Sequence, residues 1–96
     1  MLIKQSEFSD AEDELRKAAA SREEIFGSDD ILTAEVYNSL GTVLNKKEDF
    51  DGALVEHKKA LAIRLAILGE DHSDVKESKS KVESAEKRAH EDELSV

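Results

Sequence analysis

The sequence predicts an all-α chain of four antiparallel helices in which a two-helix unit repeats. Three observations predict it. Ala, Leu, Glu and Lys dominate and Pro is absent, a composition that favours helix over strand. Apolar residues recur at i, i+3 and i+4 in segment after segment, the spacing that puts them on one helical face. The chain also repeats itself at an offset of 42 residues. Phe8-Ser9-Asp10-Ala11 aligns with Phe50-Asp51-Gly52-Ala53, and Glu14, Lys17, Ala18, Ala20, Arg22, Ile25, Gly27 and Asp29 align with Glu56, Lys59, Ala60, Ala62, Arg64, Ile67, Gly69 and Asp71. Leu2 and Lys4 meet Leu44 and Lys46 at the same offset. A fixed period of this size marks a stacked helical array.

The first helix is predicted over residues 6–26, with Phe8, Ala11, Leu15, Ala18, Ile25 and Phe26 on its apolar face and Arg22 in the same series. Ser9 and Glu12 have the spacing of a capping box, although the repeat register starts the helix earlier. Gly27 is placed to end it in a left-handed conformation. Asp29 and Asp30 then offer acceptors to the free N–H groups of a second helix, 31–46. Its stripe is Val36, Tyr37, Leu40, Val43 and Leu44. Gly41 in mid-helix costs about 1 kcal/mol relative to Ala, which makes sense where another helix approaches its backbone.

Asp49 is the predicted N-cap of the third helix, 50–68, and Gly69 its stop. The run from Ala60 to Leu68 is apolar nearly all round, interrupted by Arg64, and so requires cover on several faces. The fourth helix, 74–91, starts from Asp71, His72 or Ser73. Val75, Val82, Ala85 and Ala89 form one thin stripe among Lys, Glu and Ser, as in the terminal cap of an array. Residues 92–96 are predicted to fray.

The 96 residues support one small domain, 1–96. A net charge of −9 argues against nucleic acid and against anionic membrane surfaces. Cysteine is absent, so there is neither a disulfide framework nor a thiolate metal site. No apolar run approaches the roughly 20 residues of a membrane span, and the N-terminus is too polar for a secretory signal. A cytoplasmic protein is the expectation.

These residues resemble the tetratricopeptide repeat, in the 42-residue form typical of kinesin light chain. Tyr37, Leu40-Gly41 and Leu44 match the large and small positions of that repeat's first helix, and Phe50, Ala53 and Ala60 those of its second. His57 stands where the family usually has Tyr or Phe. The stretch Ala60 to Val75 is similar to the kinesin light chain ending, with Ser73 in place of a usual Pro. The resemblance implies a fragment of right-handed α-solenoid in half, full and half repeats. It makes Phe8, Ala11, Ala18, Tyr37, Leu40, Gly41, Leu44, Phe50, Ala53 and Ala60 the repeat-packing residues. The fourth helix departs from the pattern, reading Lys79-Ser80 and Val82-Glu83 where the family has Leu-Asn and Leu-Gly/Ala.

The family's concave surface is lined by the first helix of each unit, where an Asn after the large residue often holds a peptide backbone. Asn38 occupies that place, with Glu35, Thr42, Asn45 and Lys46 on the same face, and an amide offers both donor and acceptor to a peptide. These five are the candidate peptide-binding residues. The alternative is a solvated face. His57, His72 and His90 form no metal constellation, and no nucleophile has a base at fixed spacing, so no cofactor, metal or enzymatic activity is expected. His57 is read as a packing residue.

Two functions remain open. One is a non-catalytic scaffold or adaptor module that docks a peptide or partner helix on the second-helix face. The other is a homo-oligomerisation unit or array fragment, because repeat arrays need about three units for independent stability. Surplus apolar surface on the first or third helix predicts a homodimer.

Overall fold

The computed structural model describes residues 5–27 and 29–94, and side-chain surroundings for 7–27 and 29–91. Four helices follow one another: α1 Gln5–Phe26, α2 Ile31–Lys46, α3 Phe50–Leu68 and α4 Ser73–Leu94. Among the described residues there is no strand. α2 packs against α1 and α3, and α3 packs against α4. Among the described residues the backbones of α1 and α3, and those of α2 and α4, do not approach one another directly, and the Arg16 side chain of α1 reaches Glu56 of α3 across the gap at 3.7 Å. Each inner helix therefore floors a groove between its two neighbours. The half, full and half repeats are α1, then α2 with α3, then α4.

Local chemistry sets the helix ends. Gly27 and Gly69 adopt φ of 80° and 84°, a conformation available to Gly without steric cost. Their N–H groups return to the Glu23 and Leu65 carbonyls at 2.9 and 3.1 Å. Asp30 caps α2, its Oδ2 accepting from the Thr33 N–H at 3.2 Å. The same oxygen accepts from the Arg22 guanidinium at 2.8 Å, which ties the end of α1 to the start of α2. Asp49 caps α3 through the Gly52 N–H at 3.1 Å. His72 serves α4, its Nδ1 accepting from the Asp74 N–H at 3.1 Å. In the α2–α3 turn Glu48 takes φ 64°, which costs a non-Gly residue about 1 kcal/mol.

The core lies along α2. Ala34, Leu40 and Leu44 are buried with Ala53, Ala60 and Ile63 of α3, and Ala19 of α1 joins Tyr37. α4 adds Val75, Val82, Ala85 and Ala89, all buried, while its outward positions are charged or polar. Gly41 is the close approach expected of it. A Cβ there would stand 2.7 Å from Cε1 and Nε2 of the His57 ring.

Four expectations are corrected. Ser9 and Glu12 make no capping box, since α1 already begins at Gln5. Glu12 instead accepts from Lys47 Nζ at 2.7 Å, joining α1 to the end of α2. The apolar run of α3 is covered only where α2 and α4 pack: Ala60 and Ile63 are buried, whereas Ala62, Leu65, Ala66 and Ile67 are exposed, because no described helix crosses that face. In α1 the residue buried in the Tyr37 cluster is Ala19, while Ala18 is half-buried. α4 continues past residue 91 to Leu94. Leu2, Lys4 and the frayed end at 95–96 lie outside the described residues.

Candidate functional site

The α2–α4 groove holds the residues that the sequence marked. Its floor is a buried polar pair contributed by α2 and α3. His57 is 2% exposed and Asn38 6%, and their Nδ1 and Oδ1 lie 2.9 Å apart. The amide oxygen can only accept, so Nδ1 carries the hydrogen and Nε2 keeps its lone pair. Burial holds the His57 imidazole below its ordinary pKa, and the Lys81 ammonium from α4 adds to the depression. The groove floor is therefore neutral near pH 7.

Two recesses open above this pair. One, of about 320 Å³, is lined by Thr42, Asn45, His57, Glu77, Ser80, Lys81 and Ser84. The other, of about 340 Å³, is lined by Glu35, Asn38, Ser39, Thr42, Arg64, Glu77 and Lys81. They share Thr42, Glu77 and Lys81 and so form one trough between the two helices. Lys81 and Glu77 pair with each other at 3.4 Å, and the Arg64 guanidinium donates to Ser78 Oγ at 2.8 Å. Asn45 Oδ1 is buried without a hydrogen-bond partner among the described residues. A buried acceptor in that state costs about 1–3 kcal/mol until a donor reaches it.

Of the five candidate residues, the structure brings Glu35, Asn38, Thr42 and Asn45 onto this trough and leaves Lys46 outside both recesses. Asn38 differs from expectation in one respect. Its carbonyl oxygen already accepts from His57, so its amide N–H groups and the oxygen's second lone pair remain for a ligand. Thr42 donates its hydroxyl to the Asn38 backbone carbonyl at 3.1 Å. Sequence reasoning missed His57, Arg64, Glu77, Ser80, Lys81 and Ser84. The α4 residues gave no signal because that helix lacks the repeat pattern. The departure at His57 was the one visible mark, since an imidazole in an aromatic's place needs a polar partner when buried.

Among the described residues no group of three or more His, Asp or Glu is placed to hold a metal ion, and no helix is long and apolar enough to cross a membrane. A comparison with curated proteins finds no match to the chain. The tetratricopeptide repeat profile matches residues 1–66, which span α1, α2 and most of α3, and the 42-residue kinesin light chain form is consistent with it. Helical pairs repeating at that offset, with their small residues buried where successive helices meet, agree with the match: the chain belongs to the tetratricopeptide repeat family.

Proposed function

We propose that the chain is a non-catalytic protein-interaction module of a scaffold or adaptor, docking an extended peptide or a partner's helix in the α2–α4 trough. The observation that carries this reading is the unpartnered Asn45 Oδ1, an acceptor on a trough otherwise lined by hydroxyls, amides and one ion pair. A peptide N–H that reaches it removes the desolvation cost without demanding a particular side chain. The trough has no nucleophile beside a free base, and the one imidazole on its floor is tied to Asn38. A cytoplasmic setting belongs to the same reading, supported by the polar composition and net charge of −9.

The test starts from peptides selected out of a random display library on the whole chain. Their amide chemical-shift changes are expected along α2 and α4. Thr42→Trp, at an exposed position shared by both recesses, should weaken them by about tenfold or more by filling the trough. Peptides that bind Thr42→Trp as well as the parent chain overturn the proposal.

A second reading, self-association, draws on a different observation. Ile25, Phe26 and Leu32 are 69%, 58% and 48% exposed at the α1–α2 end, and Ile67 of α3 is 43% exposed. A dimer that buries them should dissociate and lose helicity on dilution. Sedimentation and circular dichroism that show one folded monomer across a concentration series remove it.

A further inference from the structure

The face opposite the trough carries a second groove, between α1 and α3, floored by α2. At its centre is Glu56, whose side chain is 5% exposed. Its Oε2 is buried without a partner among the described residues. Its Oε1 meets Lys59 Nζ at 3.5 Å and Arg16 Nη1 at 3.7 Å, both beyond the roughly 2.7–3.2 Å of a hydrogen bond. Those cations offset the charge at Oε1 and leave Oε2 without a donor. A buried carboxylate in this condition needs a donor.

Beside it the groove offers a seat for a cation. Lys59 Nζ sits 5.2 Å from the centroid of the Tyr37 ring, within the range at which a ring face attracts positive charge. Lys59 is half exposed and free to swing out, its side chain 49% accessible. The recess against Glu56, about 170 Å³, and a neighbouring one of about 450 Å³ share Glu23, Tyr37 and Lys59. Asp29 lines the far end. Ala19 and Ala20 of α1 leave the wall low.

We propose that this α1–α3 groove captures an arginine-bearing basic segment of a partner protein. The incoming guanidinium displaces Lys59, lies over Tyr37 and donates to Glu56. A guanidinium combines a planar face with a fork of N–H donors, which an ammonium lacks. Glu23 and Asp29 extend the acidic character along the groove, and the net charge of −9 steers basic partners towards it. The proposal is independent of the trough on the other face.

Tyr37 is the sole tyrosine and there is no tryptophan, so intrinsic fluorescence reads this site directly. The chain is titrated with a capped arginine tripeptide and with its neutral citrulline counterpart, and amide shifts locate the contact. Arginine is expected to bind about tenfold more tightly than citrulline, with shifts along α1 and α3. Glu56→Gln should weaken arginine binding by about tenfold, and Lys59→Ala should strengthen it several-fold, because Lys59 occupies the seat. Should Glu56→Gln fail to fold, Lys59→Ala and the rim variant Glu23→Gln decide the matter with their opposite signs. Equal binding of citrulline, shifts confined to the α2–α4 face, no binding, or indifference to Lys59→Ala overturns the proposal.

Discussion

Helices α1 and α3 are copies of one another at an offset of 42 residues, yet equivalent positions live in different surroundings. Ala53 and Ala60 of α3 are each 0% exposed, while their counterparts Ala11 and Ala18 in α1 are half-buried. Glu56 is buried and its counterpart Glu14 exposed. The difference is one of neighbours. α3 lies between α2 and α4, whereas the backbone of α1 packs along that of α2 alone among the described residues. The same residue is a tightly packed core element in one copy and a tolerant surface element in the other. α4 extends the point: at Gly41's register it carries Glu83, exposed where no further described helix comes close.

Substituting the two alanines tests this most severely. Ala60→Leu forces three extra carbon atoms into closed space and should cost about 1–3 kcal/mol. Ala18→Leu should stay under about 1 kcal/mol, since half-buried surface can shift outward. For a domain of this size that separates the melting temperatures by roughly 4–16 °C. Equal shifts in thermal or urea unfolding would break the comparison.

A smaller effect is expected at Gly41. Gly41→Ala drives a methyl to 2.7 Å from the His57 ring and should cost about 1–2 kcal/mol even after the helix-propensity gain. In a His57→Ala background the sign should reverse, with Ala stabilising by up to about 1 kcal/mol. If the reversal fails, something other than the ring requires glycine there.

The smallest effect concerns pH. Leu15 stands in α1 where His57 stands in α3, so only the α3 copy titrates. The folded imidazole has its pKa held below the ordinary 6.5. Below that value the unfolded chain binds the proton more readily, so stability is fully present above it and declines as pH falls. Melting temperature should therefore drop modestly from about pH 7.5 to about pH 5.5. His57→Leu, which makes α3 resemble α1, should flatten that slope. An unchanged slope would place the titrating group elsewhere.

The helix boundaries were legible because their causes are local. Asp30, Asp49, Gly27 and Gly69 act on backbone groups within a few residues of themselves, so spacing alone identified them. The stripe of α2 and the thin stripe of α4 were legible because helical periodicity encodes a face. The site was legible only in part. Asn38 was found by its place in the repeat, but the oxygen expected to serve a ligand serves His57, 19 residues further along the chain. The Ala60–Leu68 run was half legible: cover on several faces was expected, but among the described residues α2 and α4 bury only Ala60 and Ile63 and leave apolar surface on this helix, as the surplus reading expected.

By itself the sequence determined that this protein is helical, that its unit repeats at 42 residues, and which residues cap and stop its two inner helices. Those properties follow from backbone hydrogen bonding and side-chain spacing within one turn or one period. Only the tertiary structure decided which copy of each repeated residue is buried, which carboxylate is left without a donor, and which face of each helix lines a groove. Burial and electrostatics depend on atoms brought together from distant parts of the chain, and identical residues at equivalent positions with different neighbours are physically different sites.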